Sequence, residues 1–447
     1  MGKNVLQGEG YTVGFSSRQI TPWGGFSLLK QMLDHCGFFQ AAKSWGLPLP
    51  GSNRGFDPVQ QLTQFMVSVW AGACRFSHIE MIRFDEALKR LFGWEIVGER
   101  KSFSRFFERF TQRTTEEVQA NIYQWSFGLL PALKSVTLDI DTTVITRYGK
   151  AQEGSAVGFN PKKKGRGSHH PLIAFVAEAK MVANFWLRPG NTSSLNNFIP
   201  FLQSTLYNLR GKIVSLIRAD SGFYSNEILT FLETEKIDYV VSVKLYQSLQ
   251  RKLYNMPYWH VVEKGIEVCE FMYRGDGMPH ARRYIAVRQS TKIRPDAPGK
   301  NLTLFGDDPA ISKWRFGVMV TSLKLSPVVV WRMYRGRADS ENRIKELKAD
   351  FGLDAFNLKD FWATEAALVS TMLAYNLMSL FRQAVLRKKT QHTLATLHGM
   401  LFAVGAFWDP KSNAQGHLLL CISRKKRAWF IGLWNQASQP PNITEFF

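Results

Sequence analysis

From about residue 25 to residue 130, apolar residues recur at helical spacing. Asp57-Pro58 reads as an N-cap followed by proline at the first helical position, opening a helix that runs to about Ala73. Ser77 and Glu80 stand at capping-box spacing and predict a second helical start. Thr115, Glu116 and Glu117 predict a third helix, running to Pro131. Between them, the stretch from Lys101 to Phe106 suits either a DNA-reading helix or an ordinary surface helix. Residues 1 to about 20 are rich in Gly and Ser without periodicity and predict a loose arm.

The pattern changes at Val136. Val136, Leu138 and Ile140 alternate with Thr137, Asp139 and Asp141, the period-2 signature of a strand. Further strands are predicted at about 172–178, 181–188 and 213–219, with a helix at about 195–210. Five β-rich runs follow between 238 and 325, separated by polar loops, the longest from Ile293 to Asp308. Helical stretches are predicted at about 338–350 and 362–388. The expected class is α/β. The expected organisation is an all-helical N-terminal DNA-binding domain (1–130), a catalytic core in two parts (131–237 and 326–390), an antiparallel β insertion between them (238–325) and a C-terminal subdomain (391–447).

Composition narrows the possible partners. Lys and Arg number 57 against 36 Asp and Glu, a formal charge of +21. Such a chain is suited to a polyanion, because displacing condensed counterions from phosphates drives association. The four cysteines, Cys36, Cys74, Cys269 and Cys421, form no C-x-x-C pair, which argues against a zinc knuckle or redox motif. The start of the chain lacks the apolar core of a signal peptide. The longest apolar stretch, Ala366 to Phe381, contains Ser370, Thr371, Asn376 and Ser379 and reads as a buried helix. A cytoplasmic protein with no membrane association is expected.

Three carboxylates carry candidate chemistry. Asp141 lies on the polar face of the first strand, together with Asp139, where either acid could serve a cation or a solvated sheet edge. Asp220 directly follows the run 213–219, a strand-end position that suits catalysis and helix capping equally well. Tyr334, Arg337, Glu341 and Lys348 are spaced three, four and seven residues apart and share one helical face. That face suits a solvated salt-bridge stripe as well as a phosphate-binding surface beside a metal. Taken together, three oxygen donors in a strongly basic chain fit two-metal phosphodiester chemistry, for which Mg²⁺ is the apt ion. The loop containing Lys162, Lys163, Lys164 and Arg166 follows soon after Asp141 and suits a DNA backbone. His169 and His170 are adjacent and lack the spacing of metal ligands.

At this point the chain resembles bacterial insertion-sequence transposases of the DDE class, in the cut-and-paste group with a Y-x2-R-x3-E-x6-K signature. Tyr334, Arg337, Glu341 and Lys348 match that signature at every spacing, and Asp141-Thr142-Thr143 matches the D-T-T around the first catalytic acid. Asp220 matches the second acid. The resemblance spans about residues 130–390 and implies an RNase H-like catalytic core. It also implies Asp141, Asp220 and Glu341 as catalytic ligands of two Mg²⁺ ions, replaceable by Mn²⁺. Tyr334, Arg337 and Lys348 would hold phosphates at the element's ends, and Trp314 would stack on a base turned out of the duplex. The implied partners are double-stranded DNA, as terminal inverted repeats and as target, and a second copy of the chain on that DNA. A nuclease of the same fold without strand transfer, and a DNA-binding derivative without catalysis, share much of this signature.

Overall fold

The computed structural model describes residues 6–52, 55–149, 151–292, 313–388, 391–409, 416–441 and 443. The described residues divide into two compact units. One combines Met1–Thr115 with Ala349–Asn357 and Trp362–Ile443, and the other is essentially Glu116–Lys348.

The second unit is built on a nine-stranded mixed sheet. Its strands in chain order are β1 (Ser135–Thr142), β2 (Leu172–Val176), β3 (Met181–Trp186), β4 (Ile213–Ala219) and β5 (Asp238–Val243), then β6 (His260–Glu263), β7 (Ile266–Tyr273), β8 (Arg282–Ser290) and β9 (Trp314–Thr321). Across the sheet the order is β6-β7-β8-β9-β5-β4-β1-β2-β3. β1, β4 and β5 run parallel, whereas β2 and β9 flank them antiparallel. All five residues of β2 are buried, as a strand covered on both faces requires. The β-rich stretch 238–325 therefore continues the central sheet through β5 and β9. Each of its runs became a strand, but the sequence could not show that β9 would hydrogen-bond to β5. The polar loop from Ile293 to Asp308 lies outside the described residues.

The helix Pro327–Arg335 closes one face of this sheet. Val330 and Trp331 join Leu216, Val240, Ile285 and Met319 in a buried cluster, which fixes the helix over the middle of β4, β5, β8 and β9. On β5 the neighbouring residue Tyr239 is also buried, and its hydroxyl donates to Glu233 at 2.7 Å. Gln119, from the helix Gln112–Gly128, is buried and donates from Nε2 to Asn184 Oδ1 (2.6 Å) and to the Phe185 carbonyl (2.7 Å) at the β3 edge.

The first unit is mainly helical. Asp57 caps the helix Pro58–Trp70 as expected, accepting from the Gln60 amide at 2.8 Å. Phe65, Phe76, Phe107 and Phe356 form an aromatic cluster with centroids 4.9 to 6.0 Å apart. The helix Phe361–Leu380 belongs to this unit from Trp362 onward and is buried from Ala363 to Leu380. Trp70 Nε1 donates to its Ala374 carbonyl at 3.0 Å. Among the described residues no helix is long and apolar enough to cross a membrane.

Three local expectations need correction. The N-terminal region is not all-helical. Leu6–Gly8 pairs with Tyr11–Val13, and Ile20–Thr21 joins a three-stranded sheet with Ala406–Trp408 and Leu418–Leu420, partners nearly four hundred residues away in sequence. Ser77 does not cap a helix: it lies inside a short 3-10 turn, Phe76–Ile79, that leads into Glu80–Arg83. The third helix starts a turn before Thr115, because Thr111 accepts from the Thr114 amide (3.3 Å) and takes the capping role.

Candidate active site

The parallel pairing of β1 with β4 sets Arg218 opposite Asp139 and Ala219 opposite Ile140. One step further along, Asp220 comes level with Asp141 at the carboxyl ends of the two strands. Asp220 also does what its turn-like surroundings suggest, accepting from the Gly222 amide at 2.9 Å. Gly222 allows this approach: a Cβ there would lie 3.0 Å from Asp220 Oδ1 and 2.9 Å from Ser194 Oγ.

Asp139 has a separate task. It is fully buried, and Arg218 donates to it from Nε (2.6 Å) and Nη2 (2.9 Å). Arg218 Nη1 donates to the Met333 carbonyl at 2.5 Å. The pair thus satisfies two buried charges and ties the helix Pro327–Arg335 to the sheet. Gly336 makes room for it, since a Cβ at that position would meet Arg218 Nη1 at 2.6 Å.

Past Gly336, Arg337 turns its buried side chain toward the carboxylates. Its Nη2 lies 2.8 Å from Asp141 Oδ2 and its Nη1 4.0 Å from Glu341 Oε1. Glu341 sits in the first turn of the helix Ala338–Ala349 with its side chain 60% exposed. Lys348, two turns on, donates from Nζ to the Val144 carbonyl at 2.7 Å. Asp141, Asp220, Arg337, Glu341, Lys348 and Lys162 all line one cleft of about 470 Å³. Tyr334 lies outside that lining. Its hydroxyl pKa is raised, chiefly by burial.

Electrostatics distinguish the first acid. Burial pushes the Asp141 carboxyl up to about 6. Arg337 opposes the rise, and the charges of Asp220 and Glu341 reinforce it. For Arg337, burial acts to lower the pKa, but Asp141, with Tyr334, Asp220 and Asp139 behind it, more than offsets burial, so the pKa is raised. Among the described residues no three His, Cys, Asp or Glu side chains are grouped closely enough to enclose a metal ion; Arg337 stands between Asp141 and Glu341. The donor chemistry nevertheless fits a hard divalent cation: Asp141 and Asp220 offer carboxylate oxygens at adjacent strand ends, and exposed Glu341 lines the same cleft.

The basic loop reaches the site through Asn160, Pro161 and Lys162. Lys162, Lys163, Lys164 and Arg166 are all exposed, and Lys162 lines the cleft. Asn160 anchors the loop, donating to Thr146 Oγ1 (3.0 Å) and accepting from the Lys163 amide (3.1 Å). Arg166 lies over the Tyr148 ring at 5.7 Å. Trp314 is not in the cleft. It begins β9 beyond the last pair with β5, Val243 opposite Val318, and so overhangs the carboxylate end of the sheet. Arg288 is sandwiched between Trp314 (4.5 Å) and Trp259 (4.4 Å).

His170 lines the cleft although its sequence context gave it no role. The adjacent histidines part company: His169 accepts from Arg147 and meets the Glu153 carbonyl, whereas His170 lines the cleft and donates from Nδ1 to the Thr192 carbonyl at 2.7 Å. Burial lowers the pKa of His170 and Asp220 opposes the fall. The available signal was its place at the start of a wholly apolar run, LIAFV, that pairs with the strand bearing Asp141.

Elsewhere, Arg424, Lys425, Lys426 and Arg427 are exposed in the first turn of the helix Arg424–Ala437, where the helix dipole disfavours cations. The helix Arg100–Phe107 buries Phe103, Phe106 and Phe107 and exposes Arg100, Lys101 and Arg105.

No curated protein matches the chain. Among solved structures it is similar to a piggyBac transposase in a synaptic complex with hairpin DNA, at 11% identity and a TM-score of 0.46, covering 87% of this chain and 83% of that one. Residues 3–414 match the family described as "Transposase DDE domain group 1". With nearly the whole sequence matched, the chain belongs to that family of DDE transposases.

Proposed function

We propose that this chain is an active transposase that cuts the ends of a mobile element and joins them to target DNA. The observation that carries the reading is the convergence of Asp141, Asp220 and Glu341 on one cleft bordered by Arg337, Lys348 and Lys162, in a chain of the DDE family. In this reading the strands around β1 and β4 are an RNase H-like core and the three carboxylates hold two Mg²⁺ ions, or Mn²⁺ in their place. Bound there, the ions would activate the attacking oxygen and stabilise the leaving one.

Two displacements at phosphorus follow. In the first, a water oxygen bonds to phosphorus as the bond to the 3′ oxygen breaks, leaving a 3′-hydroxyl and a 5′-phosphate. In the second, that hydroxyl attacks a phosphodiester and a new 3′-oxygen leaves, so the bond count is conserved. Tyr334, Arg337 and Lys348 hold phosphates of the element's end. Lys162, Lys163, Lys164 and Arg166 follow the backbone of the duplex. Trp314, already stacked on Arg288, offers a ring face to an extruded base. The first unit supplies further duplex contacts through its exposed cations, and two copies of the chain bridge two ends.

The test uses a DNA fragment carrying the gene with its native flanks, together with a supercoiled target plasmid. Mg²⁺-dependent cuts at the element's boundaries and joined products are expected. Cuts without joined products, even from precut ends, would identify a nuclease instead.

A further inference from the structure

We propose that the guanidinium of Arg337 acts as an internal counter-ion, standing in for a divalent cation beside Asp141 until a DNA phosphate draws it away. Binding of the cation and binding of DNA are thereby coupled. The inference rests on the reading of Asp141 as a metal ligand.

Two arginines of the same region differ in how they are held. Arg218 commits its whole fork, with Nε and Nη2 on Asp139 and Nη1 on the Met333 carbonyl. Arg337 is just as buried, yet its contacts are one close ion pair to Asp141 and a distant one to Glu341. Its Nε is buried without a hydrogen-bond partner among the described residues. Arg337 is held by charge and leaves its Nε unmet, a cost recovered when a phosphate accepts from the planar fork. Its position matters equally. The guanidinium lies between two of the three carboxylates, where a divalent cation would be repelled by it. A phosphate entering the cleft competes with Asp141 for the same charge, and each departure of Arg337 leaves Asp141 to the cation.

Linkage makes the prediction reciprocal: whatever factor the cation adds to DNA affinity, DNA adds to cation affinity. Mn²⁺ binding to the full chain without DNA, followed by electron paramagnetic resonance, reads the first half. Arg337→Gln is expected to bind Mn²⁺ about tenfold or more tightly than wild type, and Arg337→Lys to fall between them. If the glutamine variant does not fold, the lysine variant carries the test, with at least threefold tighter binding expected. Anisotropy of a labelled duplex at constant ionic strength reads the second half. Ca²⁺ should strengthen wild-type DNA binding severalfold more than it strengthens binding by either Arg337 variant.

Asp141→Asn separates the two levels. If it abolishes Mn²⁺ binding while Arg337 variants bind Mn²⁺ no better than wild type, the counter-ion inference is overturned and the metal reading stands. If Asp141→Asn binds Mn²⁺ as wild type does, the metal reading fails and the inference falls with it.

Discussion

Asp141 should make the folded protein less stable at neutral pH, and removing its charge should therefore stabilise it. Its carboxyl pKa rises from 3.8 to about 6 on folding, with burial as the largest cause. Roughly two units at about 1.4 kcal/mol each make this about 3 kcal/mol. The sign follows from proton binding. Between the two values the folded chain binds the proton more tightly than the unfolded one, so stability falls as pH rises through that window. The penalty is fully present above about pH 7 and absent below about pH 4. Asp141→Asn removes it, at the cost of taking from Arg337 the carboxylate 2.8 Å away. A net gain of about 2 kcal/mol at pH 7.5 is expected, because the pKa rise already includes the favourable Arg337 interaction. Urea unfolding of both proteins in EDTA at pH 7.5, 6.0 and 4.5 measures the difference, and the other carboxylates cancel in the comparison. The gap should close as pH falls to 4.5. An asparagine variant that is less stable at pH 7.5, or a gap that does not change with pH, would refute the reasoning.

Other outcomes follow from the same geometry. Arg218→Leu leaves the buried Asp139 without its counter-charge and should cost about 3–5 kcal/mol, whereas the double variant Asp139→Leu/Arg218→Leu should recover most of that, both read by chemical unfolding. Gly336→Ala drives a methyl group to 2.6 Å from a guanidinium pinned by three hydrogen bonds, so a loss of about 1–3 kcal/mol is expected in the same assay. Replacing Lys162, Lys163, Lys164 and Arg166 by Gln should weaken duplex binding without regard to sequence. If all four meet phosphates, the slope of log affinity against log salt should become shallower by about 3–4, and an unchanged slope would remove the loop from the interface.

Much of the molecule could be read from local patterns, for identifiable reasons. β1 was visible because Val136, Leu138 and Ile140 alternate with polar residues, and β4 because a short apolar run ends at an acid. Glu341 was legible because the spacing of Tyr334, Arg337, Glu341 and Lys348 fits one signature, but the four do not share a helical face. Tyr334 ends the helix Pro327–Arg335, Arg337 lies in the break after Gly336, and only Glu341 and Lys348 stand on Ala338–Ala349. What escaped depended on contacts between distant segments. Periodicity alone put Asp139 and Asp141 on one face, and only the D-T-T match favoured Asp141; Arg218 on the neighbouring strand separates them physically by neutralising Asp139 in the core. Nothing local showed that β9 would pair with β5 and extend the central sheet, or that Ile20–Thr21 would find strands beyond residue 400. His170 was hidden beside His169, because only the pairing of β2 with β1 reveals which imidazole meets the cleft.

The most direct test of the central claim is cleavage by three carboxylate variants. Each is incubated with Mg²⁺ and DNA carrying the gene with its native flanks, and DNA retention is followed in parallel gels. The account predicts that wild type cuts at the element's boundaries. It predicts that Asp141→Asn, Asp220→Asn and Glu341→Gln do not cut yet still retard the DNA. Cutting by any of the three at the wild-type rate, or cutting by wild type in EDTA, would contradict it.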